Sequence, residues 1–181
     1  MCVIFFAYQK HSAYPLVLLA NRDEFYNRPT ESAKNWEDYP DILAGRDLIG
    51  GGTWLGINKS GKFAAVTNYR DPNAPPGTRS RGDLTAEFLK TNESAEDYLA
   101  KIHQSAAEFA GFNLLLGEIN SERNELFYYS NQIGKIQRLG SGIYGLSNHL
   151  LDTPWRKVEK GKQFLTENIA QGFSKEDCFL S

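Results

Sequence analysis

The β-favouring apolar runs of this chain fall into two blocks on either side of a helical middle, and that segregation constrains its architecture more than any other feature. Cys2 to Tyr8 and Pro15 to Asn21 are apolar runs joined by a short segment containing His11, Ser12 and Ala13, a pattern that reads as a hairpin at the start of the chain. Gly50-Gly51-Gly52 gives a turn into a strand through Thr53 to Asn58, and Asn58-Lys59-Ser60-Gly61 turns the chain into the next strand, Lys62 to Asn68. Helical patterning then covers Asp83 to Lys90 and Ser94 to Phe109, where Ser94 followed three residues later by Asp97 makes a variant of the capping box. Four short strands follow, at Phe112 to Glu118, Glu125 to Tyr129, Lys135 to Leu139 and Gly142 to Leu146, and a last helix runs from about Pro154 to Ala170. Strands and helices that do not alternate exclude a doubly wound parallel sheet and predict an α+β layered domain.

Two polar stretches interrupt this order. Arg22 to Asp41, with Pro29 and Pro40, reads as a long surface loop carrying Arg22 and Asp23 near its root, and Arg70 to Ser80, with three prolines, reads as another. A chain of 181 residues is expected to form one domain over 1–181. Its 41% hydrophobic and 23% charged residues match an ordinary globular protein, and a net charge of -2 argues against a basic nucleic-acid surface. No apolar run approaches the roughly 20 residues of a membrane-spanning helix. Tyr8, Gln9, Lys10 and His11 break any secretory leader, and with Cys2 and Cys178 alone a disulfide framework is not expected, which predicts a cytoplasmic location.

Cys2 carries the most pointed chemical signal. Removal of Met1 would leave a thiol and a free α-amine on one residue. With a thiol pKa near ~8.5 and an amine near ~8, the amine can take the thiol proton near neutral pH without a histidine, giving a nucleophile with its own base. While Met1 is attached, that nitrogen is an amide and cannot act so. A hairpin of this length returns Arg22 and Asp23 to the Cys2 end of the sheet, where Arg22 is expected to lower the thiol pKa and Asp23 to hold the ammonium or fix the arginine. The competing reading of Cys2 is a small apolar residue filling the first strand. His11, His103 and His149 lack the paired spacing of a zinc site, so no metal is expected. The triple glycine precedes a strand and lacks the Gly-Lys-Ser/Thr ending of a phosphate loop.

Met1-Cys2, Asn21-Arg22-Asp23-Glu24-Phe25 with Arg28-Pro29, Gly50-Gly51-Gly52-Thr53-Trp54-Leu55-Gly56, Thr67-Asn68-Tyr69-Arg70 and Ser80-Arg81-Gly82 together resemble the NRDE family, whose eukaryotic members are called transport and Golgi organization protein. The resemblance spans most of the chain and implies the N-terminal-nucleophile (Ntn) hydrolase fold, a four-layer αββα sandwich with mostly antiparallel sheets. A looser similarity reaches the choloylglycine hydrolase and penicillin V acylase group, cysteine enzymes that cleave linear amides. By that similarity the segment Gly56 to Asn68 ends in an oxyanion-binding asparagine, Asn68, and Leu146-Ser147-Asn148 supplies a second active-site asparagine, Asn148. It implies a hydrolase of an acylated small molecule with Cys2, Arg22, Asp23, Asn68 and Asn148 as catalytic residues and no cofactor. The family's association with haem trafficking and lipid homeostasis implies an alternative, a non-catalytic carrier of haem or an acyl lipid, with His149, His103 or Cys2 as axial ligands. Relatives generally continue beyond Ser181, so the chain reads as a short member or one truncated at its C-terminus.

Overall fold

A computed structural model describes residues 2–72 and 76–172. Cys178 and Lys175-Glu176-Asp177, which reads from the sequence as the start of a further helix, lie outside the described residues. Two sheets form the centre. The smaller has the order β10-β1-β2, built from β1 (Val3–Tyr8), β2 (Leu16–Asn21) and β10 (Gly142–Leu146). The larger runs β3-β4-β5-β6-β7-β8-β9, with β3 (Thr30–Asn35), β4 (Ile42–Asp47), β5 (Leu55–Asn58), β6 (Lys62–Asn68), β7 (Phe112–Ile119), β8 (Asn124–Ser130) and β9 (Lys135–Arg138). Every strand pair is antiparallel. Sequential strands pair within each sheet, although a long link over residues 69–111 separates β6 from β7; β10 crosses over to flank β1.

The helices close the two outer faces. α1 (Arg81–Lys90) and α2 (Ala95–Ser105) lie on the larger sheet, and α3 (Arg156–Ala170) lies on β1 and β10, giving the αββα layering. Alternation along the strands sorts side chains between layers. On β7, Leu114 and Leu116 face the helices beside Leu84, Phe88 and Leu99, while Leu115 faces the smaller sheet beside Ile4, Phe6 and Leu146. Each such large side chain removed from water contributes roughly 1.5–3 kcal/mol. α3 approaches closely because glycines face it: a Cβ on Gly145 would sit 2.7 Å from the Val158 side chain, and one on Gly161 would sit 2.1 Å from the Phe5 ring.

Three expectations need correction. The stretch from Arg22 to Asp41 is not all loop, since Thr30–Asn35 forms the edge strand β3. Ile42–Asp47, unassigned from sequence, is β4, and the buried Trp36 indole locks the pair by donating to the Ala44 carbonyl at 3.1 Å. The helix expected from Ser94 to Phe109 ends at Ser105 and continues as a 3-10 turn over Ala106–Glu108. Its predicted cap is present: the Ser94 hydroxyl accepts from the Asp97 N–H at 3.1 Å.

Strand ends position the functional residues. β1 is the central strand of its sheet, so the end that carries Cys2 is flanked by the exit of β2, leading into Arg22 and Asp23, and by the exit of β10, leading into Ser147 and Asn148. The end of β6, Asn68, arrives from the facing sheet.

Candidate active site

Cys2 precedes β1 and is half-buried. Its sulfur is held against the start of the Asp23 loop by that residue's backbone: the Asp23 N–H donates to Sγ at 3.5 Å, and the thiol lies 3.8 Å from the Asp23 carbonyl. Burial pushes the Cys2 thiol above its ordinary value; the positive charges of the amino terminus and Arg22 pull the other way without cancelling it. Arg22 pulls the thiol pKa down as expected, but with Met1 attached desolvation outweighs it. The Arg22 guanidinium donates to Glu24 at 3.2 Å and acts on the sulfur only through space.

A buried polar network holds the second wall. The Ser147 hydroxyl donates to the Cys2 carbonyl at 2.8 Å, and the Thr67 hydroxyl donates to the Ser147 carbonyl at 2.9 Å. Asn113 links the layers, its Nδ2 donating to Thr67 Oγ1 at 3.2 Å and to the His149 carbonyl at 2.9 Å. Tyr128 donates to Asn113 Oδ1 at 2.8 Å and accepts the Leu151 N–H at 3.1 Å. Asn148 is buried; its Nδ2 donates to the Asn68 carbonyl at 3.1 Å and its own carbonyl accepts the Arg70 N–H at 2.9 Å. Asn68 itself is exposed at the end of β6.

These groups open on one cleft of about 570 Å³, lined by Cys2, Asp23, Asn68 and Asn148 together with Arg70 and Arg81. Of the five residues expected from sequence, four line it, and Arg22 is not among the lining residues. Arg81 is a residue that sequence reasoning quoted in a motif without a role. It opens α1, donates from Nη1 to the Gly111 carbonyl at 3.1 Å, and lies close enough to Cys2 and Glu24 for their charges to act on it. Its position is set by glycines: a Cβ on Gly52 would fall 2.5 Å from the Gly82 carbonyl, so the triple-glycine turn packs directly beneath the start of α1. The Thr53 N–H donates to the Gly82 carbonyl at 3.3 Å, and the Thr85 hydroxyl bonds the Thr53 carbonyl.

The histidines stand apart from the cleft lining. His149 has both ring nitrogens engaged, Nε2 with the Tyr69 hydroxyl at 3.0 Å and Nδ1 with the Thr153 hydroxyl at 2.8 Å. His103, on α2, pairs with the Tyr129 hydroxyl at 3.1 Å. Of the three residues named as haem ligands, Cys2 alone borders the cavity. Of the aromatic residues, Tyr69 lines the cavity, whereas Trp36, Tyr128 and Tyr129 are core. Among the described residues, no helix is long and apolar enough to cross a membrane.

Comparison with known proteins adds three findings. The sequence profile described as "Transport and Golgi organisation 2" matches residues 1–180. Among curated relatives, the chain is 41% identical to the Transport and Golgi organization protein 2 homolog of Bos taurus, over 95% of this chain and 66% of that protein. It is also 41% identical to the Homo sapiens homolog, over 93% of this chain and 64% of that protein. The chain thus spans slightly less than two thirds of the length of these relatives. Among solved structures, the Caenorhabditis elegans N-acylethanolamine-hydrolyzing acid amidase ortholog superposes with a TM-score of 0.52 at 10% identity, covering 97% of this chain and 83% of that one. That similarity identifies the fold as that of an Ntn hydrolase.

Proposed function

The chain belongs to the Transport and Golgi organisation 2 family, and from that premise we propose that its cleft is the site of an Ntn-type cysteine amidohydrolase acting on linear amides of acylated small molecules. The observation that carries this reading is the meeting of Cys2, Asn68 and Asn148 around one cavity. Burial raises the thiol pKa, so a base beside the sulfur would help to form the attacking thiolate. With Met1 removed, the α-amine of Cys2 is two bonds from Cβ and can serve.

In the acylation step the amine takes the thiol proton as Sγ attacks the amide carbonyl carbon, forming a C–S bond and placing the negative charge on the carbonyl oxygen. Nδ2 of Asn148 has two hydrogens and gives one to the Asn68 carbonyl, so the other is available to that oxyanion. The Asn68 side chain adds a donor from the facing sheet. A donor already in place is worth roughly 3 kcal/mol of barrier. Collapse of the tetrahedral adduct breaks the C–N bond, the ammonium returns its proton to the leaving amine, and a thioester remains on Cys2. Water, deprotonated by the same amine, hydrolyses the thioester and restores the thiol.

The C. elegans neighbour, named for hydrolysing N-acylethanolamines, suggests the first substrate to try. Protein verified by intact mass to lack Met1 should release free fatty acid from an N-acylethanolamine, and Cys2→Ala should abolish release. The carrier reading is favoured instead by saturable binding of the acyl compound with no turnover by the processed chain and no difference between it and Cys2→Ala.

A further inference from the structure

Arg81 and Arg70 are two cations lining the cleft, and neither guanidinium forms an ion pair with a described residue. Arg81 is partly buried, and its one side-chain hydrogen bond among the described residues is to the neutral Gly111 carbonyl. Glu24, whose charge acts on it, is committed elsewhere: one oxygen accepts from Arg22 at 3.2 Å and the other from the Phe25 N–H at 3.0 Å. The Arg70 side chain makes no hydrogen bond or ion pair with a described residue, although its backbone N–H is fixed on Asn148. A guanidinium out of water without an anionic partner is costly, and natural structures keep one there mainly where it meets an anion. The planar fork of arginine suits a carboxylate or phosphate, which it can grip through two parallel N–H groups.

The surrounding fold spends two glycines and a helix start on this placement. Gly52 and Gly82 lie back to back, and Ser80 caps α1 by accepting the Gly82 N–H at 3.2 Å, so Arg81 leaves the first turn of the helix toward the cavity that holds Cys2.

We infer that the cleft selects ligands carrying an anionic group within a few bonds of the scissile carbonyl, with Arg81 as its anchor and Arg70 at the rim. The chemical class is an acyl compound bearing a carboxylate or phosphate, such as an N-acyl amino acid. This inference rests on the hydrolase reading for its account of which bond is scissile, whereas the preference for an anion is a binding property that survives if no turnover occurs.

The test is therefore equilibrium binding to Cys2→Ala, which cannot turn over. N-dodecanoylglycine is compared with N-dodecanoylglycinamide, which differs in charge alone, and with the phosphate ester of N-dodecanoylethanolamine against its parent alcohol. At least tenfold tighter binding of the acid than of the glycinamide, narrowing to within about threefold when Arg81→Gln is added and largely kept by Arg81→Lys, is the expected result. A preference confined to the phosphate pair assigns the anion as phosphate, and one confined to the glycine pair as carboxylate; each supports the inference. Arg81→Gln keeps an N–H donor for the Gly111 carbonyl, and its thermal unfolding is measured alongside. Should it fail to fold, loss of the preference on raising salt in the Arg81 protein stands in its place. Equal affinities within both pairs, a preference that Arg81→Gln leaves intact, or no binding of any of the four compounds would overturn the inference. Hydrolysis of N-dodecanoylethanolamine by the processed chain bears on the hydrolase reading separately.

Discussion

The backbone N–H of Asp23 points at the sulfur of Cys2 across 3.5 Å. It is thus the backbone of the Asp23 loop, more than the Arg22 guanidinium, that fixes where the sulfur sits. Burial that comes with this contact raises the thiol pKa.

Alkylation kinetics check that statement. For the chain with Met1 attached, the iodoacetamide rate at Cys2 should rise through a midpoint above that of a free thiol, because burial raises the pKa. The sign also runs through stability. A thiol pKa raised on folding contributes stability in full below the unfolded value, and that contribution is lost as pH rises through the folded one. A midpoint at or below that of free cysteine would show that the cationic neighbours outweigh burial.

Asn148→Ala removes the N–H that bridges to Asn68 and the proposed donor to the oxyanion. Turnover of an N-acylethanolamine is expected to fall roughly 10²–10³-fold in kcat with little change in KM. A rise in KM at constant kcat would place Asn148 in ground-state binding instead.

Tyr128→Phe tests the network that carries the Ser147–Asn148 segment. It leaves Asn113 Oδ1 and the Leu151 N–H without their buried partner, and urea denaturation should report a loss of about 1–3 kcal/mol. A loss within experimental error would mean that water replaces the hydroxyl.

Gly52→Ala places a methyl group 2.5 Å from the Gly82 backbone. Overpacking of this kind costs about 1–3 kcal/mol, and here it should also displace Arg81, weakening binding of N-dodecanoylglycine more than of its amide. Gly140→Ala, where an added Cβ meets nothing within 4 Å, is the matched control and should leave both properties unchanged.

Much of this architecture was legible in the sequence, and the failures have physical reasons. β1, β2, β6 and β10 announced themselves because both sheets bury apolar faces there. β3 did not: Thr30-Glu31-Ser32-Ala33-Lys34-Asn35 lies at the sheet edge, almost wholly exposed, with its register broken between Glu31 and Lys34. A polar, bulged edge strand has no two-residue apolar period to read. β4 offers little more, as Ile42 and Ala44 alone on it are buried. At the site, Cys2, Asp23, Asn68 and Asn148 were reached through motifs and strand geometry. Arg81 was not, since a charged residue at the start of a helix looks like any solvated one until the packing of Gly52 on Gly82 shows which way it faces. Arg22 was overrated for the converse reason: its neighbour Glu24 pairs with it, and sequence spacing does not show which carboxylate wins.

The most direct measurement is intact-mass spectrometry of the Met1-free chain mixed with an N-acylethanolamine and quenched in acid, followed by peptide mapping. The account predicts a transient acyl adduct on the Cys2 peptide, sensitive to hydroxylamine as a thioester is, and absent from Cys2→Ala. Turnover that proceeds undiminished in Cys2→Ala, or an acyl group mapped to any other residue, would contradict it.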